Sequence, residues 1–248
     1  MPMQNKEQER IYFDKFSENV EWNAFTSKTY DKLVSLILGL KPGKNDVIID
    51  MGCGTGQLTN KIRVLGFKDI SGYDISKNCI LKAKEHYKDI TFDVRDIENT
   101  KLRDNSIDFL IYCGVLHHFS NAGKVIKEAK RILKKKGKIF VFDPNASNPV
   151  FWLFRNNSSP LRLYKMRTPN EEFKTKYQIR ESFEKEGFKV IRIDCISGIS
   201  YTKDYFKRLL PVPFSHLVHL YNSFDSILNV TFLRKRYGSF IYGYFEKS

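Results

Sequence analysis

Cysteine is scarce in this chain, with four in 248 residues, and no two of them form a CxxC pair. Cys53, Cys79, Cys113 and Cys195 are scattered, and Cys53 and Cys113 sit in or beside apolar, strand-like runs. That spacing argues against a disulfide framework and against a zinc site, so no metal is expected and a reducing cytoplasm fits best. There is also no apolar run of the roughly 18 residues that a membrane-spanning helix requires. The opening MPMQNKEQER has no apolar core of the kind a secretory signal carries. Acidic residues are under-represented, 28 against 42 Lys and Arg, for a formal charge of +14. The excess is densest beyond residue 150. It suits nucleic acid, an anionic membrane or an acidic substrate, although a Lys-rich composition produces the same charge with no polyanionic partner.

With 42% hydrophobic residues, the length supports one domain with a sizeable core and an elaborate cap. From residue 46 to 143 strand and helix patterns alternate. DVIID (46–50), ISGYD (70–74), ITFDV (90–94), IDFLIYC (107–113) and KIFVFD (138–143) read as buried strands. QLTNKIRVLGF (57–67) and KNCILKAKEHY (77–87) read as helices. NAGKVIKEAKRILKKKGK (121–138) is expected to be one amphipathic helix, with Val125, Ile126, Ala129, Ile132 and Leu133 on one face and Gly137 as its C-cap. KYQIRESFEKEGF (176–188), KVIRID (189–194) and the closing SFIYGYFEK (239–247) add a helix and two strands. The expected fold is α/β, a doubly wound and mostly parallel sheet of seven strands with helices on both faces.

Two segments interrupt the alternation. Residues 144–175 hold four of the eight prolines and read as an insertion after the fifth strand. Residues 197–237 read as an aromatic, helical cap inserted before the last strand. There, Leu217, Tyr221, Phe224 and Leu228 follow helical spacing between the basic KRLLP and LRKR. Residues 1–40 are expected to form an N-terminal helical lid. All of this belongs to one domain, 1–248.

VIIDMGCGTGQLTNKI (47–62) places three glycines where a strand ends and a helix begins. Glycines at such a turn adopt positive φ and let a ligand approach the backbone, and the helix N-terminus beyond them suits an anionic group. No Lys-Ser/Thr follows, so this is not a Walker A loop, and the G-x-G-x-G spacing differs from the dinucleotide fingerprint.

In this loop and in the strands and helices after it, the chain resembles the class I S-adenosylmethionine-dependent methyltransferases, closely over residues 45–143 and loosely over 176–194. The resemblance implies a Rossmann-like methyltransferase fold with S-adenosyl-L-methionine as cofactor. It implies that DMGCGTG (Asp50, Gly52, Cys53, Gly54, Gly56) wraps the methionine end. Asp74, with Ile75 beside it, would take both ribose hydroxyls, as a carboxylate can from two adjacent O–H donors. Asp96 would accept from the adenine amino group, with the Ile97 N–H directed to the ring. Cys113 and Gly114, in DFLIYCGVLHHF, would line the methionine end. The aromatic start IYFDKFSENVEW resembles a lid that many relatives fold over the cofactor, so that Tyr12 and Phe13 would cover it; a helix packed on the core is the alternative.

Methyl transfer needs alignment above all, and a base only where the acceptor must lose a proton. His117 and His118, just past the fourth strand, are candidate catalytic bases, with Asp143 a lesser candidate and a packing role the alternative. The place where base-amino and amide methyltransferases carry Asn/Asp-Pro-Pro-aromatic reads CGVL here, which counts against that chemistry. The expected acceptor is a small or lipid-like molecule methylated on oxygen, ahead of carbon or nitrogen. The basic, aromatic helix suggests peripheral contact with an anionic membrane, and packing of that helix on the domain is the alternative. An RNA methyltransferase using the basic surface, or a non-catalytic cofactor-binding or membrane-associated protein, are the other readings.

Overall fold

The computed structural model describes residues 6–18, 24–155, 159, 170–203 and 217–248. Parts of the expected lid (1–5 and 19–23), of the first insertion (156–158 and 160–169) and of the C-terminal cap (204–216, with His216) lie outside the described residues.

Seven strands form one sheet: β1 (Ile48–Met51), β2 (Ile70–Asp74), β3 (Thr91–Val94), β4 (Ile107–Cys113), β5 (Leu133–Pro144), β6 (Phe188–Ile196) and β7 (Phe240–Lys247). Their order is β3-β2-β1-β4-β5-β7-β6. β7 runs antiparallel to both β5 and β6, while the other pairs are parallel. Alternate strand residues feed two cores, which is why the strands read as continuous apolar runs. Ile49, Leu110, Tyr112, Ile139 and Val141 pack towards α5 (Gly123–Ile132) and α7 (Lys176–Lys185). Ile48, Phe109, Ile111, Phe140 and Phe142 pack towards α2 (Ser27–Leu38) and α3 (Gln57–Val64). α4 (Lys77–His86) packs on β2 and β3.

Two expectations need correction. The first is α5, which stops at Ile132 instead of running to Gly137. Leu133 already pairs with Ile107 of β4, and Ser106 and Asn105 donate backbone N–H groups to Ile132 (2.8 Å) and Arg131 (3.0 Å). The register then slips before Phe109 meets Lys138, so KKKGK is an irregularity within β5. Gly137 answers a close approach there: a Cβ would stand 2.8 Å from the Lys134 carbonyl oxygen. The five apolar residues assigned to the α5 face are nevertheless all buried, at 1% exposure or less.

The second concerns α8 (Leu217–Asn229). Val218 and Leu228 are buried and Tyr221 is half-buried, but Leu217 and Phe224 are 46% and 51% exposed. The helix docks through Val218 and Leu228 and through polar groups. Asn222 exchanges two 3.1 Å hydrogen bonds with the Tyr201 backbone, Asp225 accepts from the Ile199 N–H at 2.9 Å, and Asn229 accepts from the Ser197 N–H at 3.3 Å. Those bonds satisfy the chain leaving β6 and turn part of the apolar stripe outward. Two helices lie among the described residues of the segment expected to form the lid. α1 (Lys6–Glu18) lies over α4, whereas α2 buries Leu33 and Ile37 in the core.

The segment after β3 is braced from α5. Glu128 accepts from the Thr100 N–H at 2.8 Å and from its hydroxyl at 2.5 Å, and pairs with Arg131 at 2.8 Å. Burial alone would raise the Glu128 carboxyl, but the Arg131 and Thr100 bonds outweigh it and hold the group down to about 2. A depressed carboxyl adds stability that is present above its ordinary value and is lost as pH falls through the folded one. Glu128→Ala is therefore expected to destabilise the fold by about 2–3 kcal/mol at neutral pH, because it leaves the buried Thr100 groups without their acceptor. In urea titrations the gap from wild type should close as pH falls from 4.5 towards 2. A gap independent of pH would assign the loss to packing.

Candidate active site

The parallel strands β1 to β5 all end on one edge, and the order reverses between β1 and β4, where ligands bind in folds of this type. A cavity of about 240 Å³ opens there. Of the expected cofactor contacts, Tyr12, Gly52, Gly54, Asp74, Ile75, Asp96, Ile97, Cys113 and Gly114 line it, as do His117 and His118.

Asp50, Cys53 and Gly56 do not line it. Asp50 is 1% exposed and accepts from the Thr59 hydroxyl at 2.7 Å, holding α3 to β1. Burial, with Asp74 adding to it, pushes Asp50 up to about 7, against the Thr59 bond. A Cβ at Gly56 would stand 2.7 Å from the Phe92 ring, and a Cβ at Gly72 would stand 2.8 Å from Cys53 Sγ. These three residues shape the loop from behind. At Gly54 and Gly114, both with positive φ, a Cβ would meet no protein atom within 4 Å, so the backbone is bare on the cavity side.

Asp74 closes β2 with its carboxylate fixed by the backbone. Gly54 N donates to Oδ2 and Ser76 N to Oδ1, each at 2.9 Å. Desolvation raises its pKa, opposed by these donors. Asp96 accepts from the Glu98 N–H at 2.9 Å and takes the Lys6 ammonium at 2.5 Å, and Lys6 also pairs with Glu98. That clamp holds the first turn of α1 over the cavity. Asp14 holds the last turn, accepting from the Ser76 hydroxyl at 2.7 Å and the Asn78 N–H at 3.1 Å.

At the other end the two histidines separate. His117 Nδ1 lies 2.8 Å from Asp143 Oδ1, with both side chains buried, and its ring meets Phe173 edge-on at 5.5 Å. His118 packs edge-on against Phe13 at 5.1 Å, with its Nδ1 3.6 Å from Glu9. Burial, then the neighbouring His117, Arg155 and Lys174, push the His118 pKa well below the ordinary histidine value, so it stays neutral.

Several lining residues had no signal in the sequence. Phe25 and Tyr201 meet through an isolated bridge between distant segments. Arg155, at the end of α6 (Pro149–Arg155), pairs with buried Glu171 and faces Phe173. Glu171 and Phe173 are brought in by long-range backbone bonds, Glu172 N to His117 O at 2.7 Å and Ala146 N to Lys174 O at 3.1 Å. Lys6 and Glu9 share a helix with Tyr12, and that spacing was the one usable clue.

Comparisons with known proteins bear on the family and the fold. The profile of a family described as "Methyltransferase domain" matches residues 42–210. The chain is 27% identical to the demethylmenaquinone methyltransferase of Thermotoga maritima over 66% of this chain and 78% of that one. It is 32% identical to the ubiquinone/menaquinone biosynthesis C-methyltransferase of Bdellovibrio bacteriovorus over 48% of this chain and 52% of that one. Among solved structures, phosphoethanolamine N-methyltransferase 2 of Haemonchus contortus, in complex with S-adenosyl-L-methionine, superposes with a TM-score of 0.62 at 17% identity. That superposition covers 97% of this chain and 57% of that one.

Proposed function

Because the chain belongs to the class I S-adenosylmethionine-dependent methyltransferases, we infer that its cavity holds S-adenosyl-L-methionine and a small, lipid-like acceptor that is methylated on oxygen. The residues fit the cofactor. Gly54 and Gly114 leave backbone bare for it, and Asp74, whose carboxylate lines the cavity with backbone donors on both oxygens, has acceptor capacity left for adjacent hydroxyls. The bound cofactor supplies a methyl on a sulfonium, whose charge disappears as the methyl leaves.

The observation that carries the oxygen reading is the buried His117–Asp143 pair, in which His117 lines the cavity and Asp143 lies behind it. Asp143 accepts a hydrogen bond from His117 Nδ1–H, which fixes the tautomer and leaves Nε2 as the basic atom. A hydroxyl acceptor presented to His117 gives up its proton to that nitrogen as its oxygen attacks. Phe25, Phe151, Phe173, Tyr201 and Phe240 line the same chamber, which suits a flat ring or an apolar chain. The chamber wall favours a substituted phenol or quinol over an open-chain alcohol. A carbon acceptor beside such a hydroxyl is the second reading. It is favoured by the name of the Bdellovibrio relative and uses the same base.

The test is an acceptor screen with methyl-labelled cofactor across phenols and catechols that differ only in their alkyl tail. Turnover is expected to rise at least tenfold with tail length, because each buried CH₂ contributes about 0.8 kcal/mol. The product should be a methyl ether. A C-methyl product would establish the second reading. Turnover on RNA with none on any phenol would overturn both.

A further inference from the structure

α8 is amphipathic in the reverse sense. Its polar residues Asn222, Asp225 and Asn229 face the protein, bonded to the backbone of residues 197–201. Its outward stripe is Leu217, Leu220, Phe224 and Ile227, spaced three, four and three apart and between 46% and 70% exposed. Beyond the helix the stripe continues into a turn where Val230 and Phe232 are 84% and 82% exposed, with Leu233 beside them. The short helix α9 (Arg234–Tyr237) comes next and exposes Lys235 and Arg236. Asp225, the one acidic residue between 217 and 237, is 1% exposed. Among the described residues 217–237 the outer surface therefore has an apolar stripe along the helix, flanked by exposed His219, Ser223 and Ser226, an apolar tip and a positive rim, with no exposed acidic side chain.

We propose that this face of α8 and the turn after it is a bilayer contact, with Phe224, Ile227, Val230 and Phe232 inserted among acyl chains and Lys235 and Arg236 set against acidic headgroups. Contiguous exposed apolar surface of this kind marks an interaction site, and an apolar face with a basic rim matches an anionic membrane. A second copy of the chain would bring two like-charged rims together, and a polynucleotide would leave the leucines and phenylalanines in water.

The contact also has a route to the cavity. Tyr221, on the inner side of α8, stacks on Phe151 at 6.4 Å and packs on Tyr201 at 5.7 Å, and both rings line the cavity. α6, which carries Phe151, leaves Trp152 47% exposed. A lipid-like acceptor can then pass from the bilayer to the aromatic chamber across one layer of side chains.

The measurement is vesicle flotation of the whole protein without cofactor or acceptor, so its outcome is independent of the methyl-transfer reading. Binding is expected to vesicles of equal parts phosphatidylcholine and phosphatidylglycerol, and to be at least about tenfold weaker to phosphatidylcholine alone. Lys235→Gln and Arg236→Gln should each weaken it roughly fivefold, more so at low salt. Phe224→Asp with Phe232→Asp should abolish it; both positions are exposed, and an unchanged melting curve shows that the fold is kept. Phe232→Trp should give indole fluorescence quenched by brominated acyl chains. Three results would overturn the proposal: no flotation with acidic vesicles, flotation unaffected by the two aspartates, or a dimer in solution that Phe224→Asp dissociates.

Discussion

His117→Ala should lower methyl transfer by about 10²–10⁴-fold, the range for loss of a positioned general base, while leaving cofactor affinity unchanged. The reason lies in the contrast between two adjacent imidazoles. Their rings are 4.1 Å apart, yet their carboxylate neighbours differ: Glu9 lies 3.6 Å from His118 Nδ1, whereas Asp143 lies 2.8 Å from His117 Nδ1. A base without that partner has no fixed tautomer and loses the charge that stabilises its protonated form. Asp143→Asn should therefore act in the same direction as His117→Ala but less severely, and the pair should be far from additive. His118 is held neutral by burial and by its cationic neighbours and packs on Phe13 of α1. His118→Phe keeps that packing and should cost less than about tenfold, because no proton transfer is lost. The readout that separates chemistry from architecture is the split between turnover and cofactor affinity: His117→Ala should lower kcat with cofactor binding unchanged, and His118→Phe should leave kcat within about tenfold of wild type. Equal losses in the two variants would make the histidines a packing unit and remove the base.

The parts of this site that could be read from the sequence are those that topology brings together without help. In a parallel sheet every carboxyl end lies on one edge, so Gly54, Asp74, Ile97 and Gly114 reach a common cavity once their strands are recognised. Parts that depend on distant partners could not be read this way. The end of α5 is set by pairing of Leu133 with Ile107, and nothing near Leu133 announces it. The inner face of α8 combines Val218 and Leu228 with polar groups bonded to the backbone at 197–201, so a rule that places only apolar residues inward also picks Leu217 and Phe224, which are exposed. Lys6, Arg155 and Glu171 reach the cavity through ion pairs across 90 residues in one case and 16 in the other. Residue type alone gives no reason to choose them among so many charged positions. Asp50 and Gly56 show the opposite error: both belong to the loop motif, but their side-chain positions face α3 and Phe92, away from the cavity.

Asp74→Ala should weaken binding of S-adenosylhomocysteine by about 10²–10⁴-fold in titration calorimetry. Two hydrogen bonds to a charged acceptor are lost, each contributing about 1.5–3 kcal/mol. Affinity alone does not prove the role, because Asp74 also anchors the loop: the Gly54 N–H that it accepts at 2.9 Å would be released. Asp74→Asn does not resolve this, since its amide nitrogen would oppose either the Gly54 or the Ser76 N–H, both of which need an acceptor. The two contributions part company when the ligand is changed as well as the protein. Removing the ribose 2′-hydroxyl should cost wild type about 1.5–3 kcal/mol. It should cost the Asp74→Ala variant almost nothing, because the partner is already gone. A loop effect would instead leave the two penalties equal, since a disordered Gly52–Gly56 turn weakens both ligands alike. Equal penalties would detach Asp74 from the ribose and leave it the role of holding Gly54 against the end of β2.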